Sequence, residues 1–146
     1  MIVNACKARI LKLDLSEIKF DTATVFEAIA KHMPQLTHFT FRDGRVINYS
    51  ALSKLHQLEF LDLCRYVQWP LRVAHVCSAT GVCNDNIKEI VEANPDLVSL
   101  NLFGCGSISS WQIFEPIRIS IRHLNLGQTS IDITHMGEMP CLQVSS

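Results

Sequence analysis

The chain has 146 residues, of which 48% are apolar, and 13 basic residues nearly balance 14 acidic ones to give a net charge of −1. This length and apolar content predict one folded domain with a substantial core, and they exclude a disordered chain. The charge balance gives no general attraction to nucleic acid or to an anionic membrane surface, and no apolar run approaches the length of a membrane span.

The N-terminal segment, MIVNACKARI, lacks the basic head and long apolar stretch of a secretory signal. The chain contains six cysteines but no C-x-x-C pair. A chain of this size and apolar content does not need disulfides to fold, so we interpret the cysteines as reduced thiols. These features predict a cytoplasmic or nuclear protein.

One spacing, apolar-x-x-apolar-x-apolar, recurs along the chain and predicts its strands. Alternate side chains of a strand point to opposite faces, so each copy has one apolar face that only neighbouring copies can bury. The copies predict a single domain over residues 1–146, with five full units and a partial sixth. The motifs are Ile10-Leu13-Leu15, Leu36-Phe39-Phe41, Leu58-Leu61-Leu63, Leu97-Leu100-Leu102, Ile121-Leu124-Leu126 and, incompletely, Met139-Leu142-Val144.

The segments between the motifs predict helices that return along the other side of the sheet. Residues 21–32, DTATVFEAIAKH, and residues 86–94, NIKEIVEAN, each carry an apolar stripe at helical spacing. Asn86 and Glu89 have the spacing of a capping box at the start of the second helix. Shorter helical turns are predicted at residues 50–55 and 109–114.

Residues 87–109, IKEIVEANPDLVSLNLFGCGSIS, resemble the cysteine-containing subclass of the leucine-rich repeat family. The resemblance covers residues 10–144. It implies an α/β solenoid with right-handed connections, a parallel sheet on the concave face, and helices or turns on the convex face. The matched pattern, helix-Pro-L-x-x-L-x-L-x-x-C-x-x-I, is carried by Pro95, Leu97, Leu100, Leu102, Cys105 and Ile108. The subclass cysteine position is occupied in successive units by Ile18, Gly44, Tyr66, Cys105 and Thr129.

Cys105 has two readings, a reactive thiol or a residue that fills the turn after a strand. The surrounding FGCGS superficially resembles a nucleophile elbow, but only a short helix follows it. No thiolate-stabilising neighbour is indicated either, so the turn-filling role is favoured. The chain also lacks a phosphate loop, H-E-x-x-H and G-x-S-x-G. We therefore expect no enzyme activity and no cofactor.

His75, Cys77 and Cys83, in VAHVCSATGVC, are candidate metal ligands. Their H-x-C-x5-C spacing has no paired C-x-x-C knuckle, so burial in the long third unit is favoured and no metal is expected. The insertion over residues 64–85 in this unit offers two alternatives for Trp69. It either belongs to a binding loop or covers the core as an extra layer.

The outward positions of the motifs predict a partner-binding concave face. Aromatic and arginine residues occur together there, as is typical of binding hot spots. The alternative is that these positions are simply solvated, with the two phenylalanines packed against their neighbours. The predicted residues are Lys12, Asp14, His38, Arg42, Phe60, Asp62, Asn101, Phe103, His123 and Asn125.

The cysteine-containing repeats resemble those of F-box and related cullin-adaptor proteins. This resemblance implies a non-catalytic protein-binding module that recognises substrates in an ubiquitin ligase, with cullin–RING ligase components among its partners. No F-box is visible before residue 10. The alternative is a structural or assembly subunit of a larger complex. Because the last motif leaves an apolar edge open, we expect the chain to be part of a longer protein, or a partner to cover its end.

Overall fold

The computed structural model describes residues 10–16, 22–41, 49–63, 82–135 and 137–143. Five short strands form one parallel sheet in which the spatial order follows the sequence order. Each strand is the central triplet of one predicted motif. The strands are β1 (Lys12–Asp14), β2 (His38–Thr40), β3 (Phe60–Asp62), β4 (Ser99–Asn101) and β5 (His123–Asn125).

Adjacent strands pair without offset, so equivalent residues of successive units lie side by side. The inner column of the sheet consists of Leu13, Phe39, Leu61, Leu100 and Leu124. The residues before and after each of these form two further columns on the opposite face. These columns are the ones obtained by aligning the motifs in the sequence.

Helices return along the other side of the sheet, as the sequence predicts. The α-helices are α1 (Thr22–His32) and α2 (Asn84–Ala93), and 3₁₀ helices lie at Ser50–Lys54, Trp111–Ile117 and Ile133–His135. Helix α2 packs against the 3₁₀ helices of both neighbouring units. Helices this short are marginal by themselves, so their stability comes from packing on each other and on the sheet. No helix in the described ranges has the length and apolar character needed to span a membrane.

Helix α2 begins at Asn84, two residues before the predicted start. The backbone N–H and the thiol of Cys83 both donate to Asn86 Oδ1, at 3.2 and 3.0 Å. The predicted capping box of Asn86 and Glu89 is therefore wrong, because Asn86 is the third helical residue and its side chain reaches back to the residue before the helix. The predicted apolar stripe is confirmed by three fully buried side chains, Ile87, Ile90 and Val91.

The core lies between the inner column of the sheet and these helices. The first residue of each inner motif turns into it, so Leu36, Leu58, Leu97 and Ile121 are all at most 1% exposed. Phe26 of α1 anchors the N-terminal half. Its ring lies edge-on to the rings of Phe39 and Phe41, with centroids 5.7 and 5.2 Å away, and such pairs add to the effect of area burial.

A buried asparagine connects the end of α2 to the preceding unit. Asn94 is 2% exposed, and its Oδ1 accepts a hydrogen bond from Leu58 N–H at 2.7 Å. Its Nδ2 donates to Leu55 O at 2.6 Å and to Ile90 O at 2.9 Å. The backbone segment that leads into β3 has polar groups that no helix or strand pairs. Asn94 satisfies one donor and one acceptor of this segment.

The sixth unit begins three residues later than the spacing of its apolar residues predicts. Gln143 N–H donates to Arg122 O at 2.8 Å, just as Arg122 N–H donates at 2.8 Å to the equivalent carbonyl one unit earlier. Leu142 N–H donates to the carbonyl three residues before it at 3.1 Å, as Leu97 N–H does. Leu142 therefore takes the first motif position, which the sequence spacing assigns to Met139. Both side chains pack partly buried against the core, so hydrophobicity alone does not distinguish them.

Candidate protein-binding face

The side of the sheet that faces away from the core is the concave face of the solenoid. It carries two columns of side chains, because each strand places its first and third residues on this side. The first column is Lys12, His38, Phe60, Ser99 and His123, and the second column is Asp14, Thr40, Asp62, Asn101 and Asn125. Most of the residues predicted to bind a partner are therefore brought together on one surface.

Three residues of the second column, Asp14, Asn101 and Asn125, have a structural role that the sequence did not predict. Asp14 Oδ1 accepts a hydrogen bond from Ser16 N–H at 2.9 Å. Asn101 Oδ1 accepts one from Phe103 N–H at 3.1 Å, and Asn125 Oδ1 accepts one from Gly127 N–H at 3.0 Å. Each side chain thus bonds the backbone two residues ahead and starts the turn that follows its strand, as aspartate and asparagine commonly do.

A groove of about 210 Å³ opens on the concave face over β4 and β5. Four predicted residues line it: Phe60, Asn101, His123 and Asn125. Ser99 and Gln143 also line it, although neither was predicted to bind. Ser99 was present in the aligned column but lacks the aromatic or charged character of a hot spot. Gln143 belongs to the sixth unit, whose register could not be read from its spacing.

Phe60, which lines this groove, belongs to an aromatic pair. The rings of His38 and Phe60 stack with centroids 5.7 Å apart and planes 16° from parallel. The Thr37 hydroxyl contacts both Leu11 O, at 3.0 Å, and His38 Nδ1, at 2.9 Å. The contact between the Thr37 hydroxyl and Nδ1 restrains the orientation of the imidazole ring. The imidazole is therefore held flat against one face of Phe60.

Phe103 is half-buried and is not one of the buried core residues. A Cβ added to Gly127 would lie 2.7 Å from Phe103 Cδ2. The ring therefore packs over the backbone of the next unit at the position where that unit has no side chain. Phe103 contributes to the stacking of units as well as to the surface.

One of the predicted residues, Asp62, does not lie on an open part of the concave face. Asp62 is 2% exposed, so the prediction that its whole column faces solvent is wrong at β3. Arg42 and Trp69 lie outside the described residues. Lys12 and Asp14 are exposed on β1, at the opposite end of the sheet from the groove.

Cys105 occupies the turn after β4. It is 5% exposed, and its Sγ donates to Leu63 O of the preceding unit at 3.4 Å. Its N–H bonds Leu102 O at 3.0 Å, and Thr129 makes the equivalent bond to Leu126 O at 3.1 Å. A buried thiol in such a turn has the exposure of a packing residue and not of a nucleophile.

No group of three or more metal-ligating side chains occurs among the residues that the structure describes. Of the three candidate metal ligands, Cys83 lies within the described residues. Its thiol donates to the Asn86 side chain at the start of α2. His75 and Cys77 fall outside the described ranges.

No protein-family model matches the chain, and no curated protein matches it by sequence. Among solved structures, the chain is similar to an internalin (InlF) from Listeria monocytogenes, with a TM-score of 0.64 and 15% sequence identity. The match covers 97% of this chain and 35% of the internalin chain, so the chain spans about a third of the length of that neighbour. The internalin is a leucine-rich repeat protein. Together with the five-stranded parallel sheet and the helices behind it, this match shows that the chain has the α/β fold of a leucine-rich repeat solenoid.

Proposed function

We propose that the chain is a non-catalytic protein-binding module that holds its partner on the concave face. The observation that carries the proposal is the groove over β4 and β5, which is lined by the aromatic ring of Phe60 together with His123 and the two asparagines. Aromatic side chains supply large contact areas with little loss of conformational freedom, and they are enriched at the centres of protein interfaces. The leucine-rich repeat fold of the internalin neighbour also supports a binding role.

The charge on this face supports a protein partner rather than a polyanion. The outward residues of β2 to β5 include no lysine, arginine or glutamate, and the single aspartate, Asp62, is buried. A surface that binds nucleic acid needs cations to replace the counterions of the phosphates. Aromatic contacts and uncharged hydrogen bonds suit a protein partner, and we expect the affinity to change little with salt.

The test compares Phe60→Ala with Phe103→Ala in the full chain. The tagged wild type and each variant are crosslinked in cells, and the proteins retained on each are quantified by mass spectrometry. Both variants are expected to fold and to lose partner, with Phe60→Ala losing more because it removes a wall of the groove. Phe114→Ala is the matched control for folding, since Phe114 is fully buried behind the sheet and its loss should unfold the unit. Unchanged retention by a folded Phe60→Ala variant would contradict the proposal.

The more specific role that we propose is substrate recognition in an ubiquitin ligase of the F-box/cullin type, in the cytoplasm or nucleus. It is supported by the resemblance of residues 87–109 to cysteine-containing repeats and by the buried position of Cys105 in the turn after β4. Co-purification with cullin–RING ligase components would support this role. Stoichiometric co-purification with a stable complex that lacks them would instead support a structural or assembly subunit.

A further inference from the structure

We propose that the groove over β4 and β5 binds the side-chain carboxylate of a glutamate or aspartate of the protein partner. This inference deepens the proposed function and rests on it. It follows from the orientation of the carboxamides of Asn101 and Asn125, which line the groove.

The hydrogen bonds of the turns fix which end of each amide faces the groove. Phe103 N–H meets the side chain of Asn101 at 3.1 Å, and Gly127 N–H meets that of Asn125 at 3.0 Å. A backbone N–H can only donate, so the atom that it meets must be the amide oxygen. The two Nδ2 groups are left over, and neither has a hydrogen-bond partner within the described part of the chain.

The register of the sheet places the two donors side by side. Asn101 and Asn125 are directly paired residues of β4 and β5. Neighbouring strands lie about 4.8 Å apart, so two amide groups held by the same turn geometry stack at about that distance. A carboxylate seated between them offers one oxygen to each amide. A neutral amide or a single carbonyl has one uncharged oxygen, which would have to accept from both donors and would form weaker hydrogen bonds than a carboxylate.

The rest of the groove also favours a carboxylate. Its other polar side chains belong to Ser99, His123 and Gln143, each of which can donate a hydrogen bond, and no carboxylate among the described residues lines it. Its volume of about 210 Å³ corresponds to roughly seven water molecules, which is space for one side chain and not for a helix. Within the part of the chain that the structure describes, no lysine or arginine lines it, so it lacks the cations that commonly pair with a doubly charged phosphate group.

The Phe60 ring closes one side of the groove. Its neighbour His38 stacks against one face of that ring, at 16° between planes, so the ring cannot turn that face to a ligand. The edge of an aromatic ring carries partial positive charge and tolerates a nearby anion. The apolar stem of a glutamate would pack on Phe60 while its carboxylate reaches the two amides.

Exchange of asparagine for aspartate tests the two Nδ2 donors without a change of side-chain shape. Asp14 stands in the same column and starts the same turn, accepting Ser16 N–H at 2.9 Å, so an aspartate at this position is compatible with the fold. Asn101→Asp and Asn125→Asp therefore keep the acceptor that the turn needs but replace each Nδ2 donor by a charged oxygen. Asp14→Asn is the matched control, because it makes the reverse exchange outside the groove.

The probe is N-acetyl-glutamate N-methylamide, compared at equal ionic strength with its glutamine counterpart. Binding is followed through the side-chain amide resonances of Asn101 and Asn125 in ¹H–¹⁵N spectra of the full chain. We expect these resonances to shift with the glutamate probe and not with the glutamine probe. We also expect each aspartate variant to weaken the affinity at least about tenfold, as for the loss of one charge-assisted hydrogen bond, and Asp14→Asn to leave it unchanged.

Any one of three results would overturn the inference. They are equal shifts with both probes, undiminished binding by Asn125→Asp, and tighter binding of inorganic phosphate than of the glutamate probe. The partner capture with Phe60→Ala separates this result from the proposed function. If Phe60→Ala releases partners but Asn125→Asp does not, the concave face binds proteins without a carboxylate contact. If neither variant releases partners, the proposed function itself fails.

Discussion

Removal of the Asn94 side chain should lower the free energy of unfolding by more than the loss of one ordinary hydrogen bond would. Asn94→Ala leaves Leu58 N–H and Leu55 O without the partners that they have in the native protein, at 2.7 and 2.6 Å. Both belong to buried residues, and each unpaired buried backbone group costs about 1–3 kcal/mol, which gives about 2–6 kcal/mol in total. Domains of this size are commonly stable by only about 5–15 kcal/mol, so the loss is a large fraction of the free energy of unfolding.

Asn94→Asp tests the same hydrogen bonds through the pH dependence of stability. The carboxylate still accepts from Leu58 N–H, but it faces the carbonyl oxygens of Leu55 and Ile90, to which only a donor can bond. Burial and these oxygens favour the protonated form, so the pKa of the introduced carboxyl should lie above its ordinary value of about 3.9. A raised pKa in the folded state means that the variant is most stable below that ordinary value and loses stability as the pH rises through the folded-state pKa.

The assay is urea unfolding followed by far-UV circular dichroism at acidic and neutral pH. Asn125→Ala is the control, because it removes an asparagine whose one turn bond is exposed, and we expect it to cost no more than about 1 kcal/mol. The reasoning is refuted if Asn94→Ala costs less than about 1 kcal/mol, the net contribution of an ordinary hydrogen bond. It is also refuted if the difference between Asn94→Asp and the wild type does not change with pH.

Three further predictions concern the turns after β4 and β5. Gln128 has a positive φ of 57°, which an L side chain adopts at a cost of about 1–2 kcal/mol, so Gln128→Gly should leave stability unchanged or raise the midpoint of thermal unfolding. Gly127→Ala should destabilise by about 1–3 kcal/mol in urea unfolding because the new Cβ would lie 2.7 Å from Phe103 Cδ2, and adding Phe103→Leu should recover part of the loss. Alkylation of the native protein, mapped by peptide mass spectrometry, should modify the exposed Cys141 quickly and leave the buried Cys105 unmodified until urea is added; fast modification of Cys105 would contradict its turn-filling role.

The repeat spacing was sufficient to align the strands. In each motif the alternation of apolar and polar residues leaves only one register that buries the apolar set, and a shift by one residue would expose all of it. This is why Leu61 and Leu100 are paired in the sheet as they are in the aligned sequence. The sixth unit lacks this constraint, since Met139 and Leu142 both pack against the core and only the hydrogen bonds of Leu142 and Gln143 reveal the register.

Side-chain hydrogen bonds account for what the sequence did not reveal. Cys83 is not among the residues that usually cap a helix, so the start of α2 could not be read from capping preferences. Asn94 follows the last helical residue, a position where asparagine is common, and nothing in the sequence indicates that it bonds the backbone of the preceding unit. The Asn94 contacts depend on which unit lies next to which, and that is known only after the sheet is assembled.

The asparagines of the second column show how the fold and the binding site become connected in this molecule. Asn101 and Asn125 are needed at the ends of their strands because the turn requires an acceptor, and aspartate meets that requirement equally well at Asp14. The carboxamide differs from the carboxylate only in the group that faces away from the turn. The choice of asparagine over aspartate on β4 and β5 is therefore not explained by the fold, and it acquires a physical reason if the outward donors meet an acceptor on a partner. Because the turn bond fixes the amide before any partner arrives, binding would require little further ordering of these side chains.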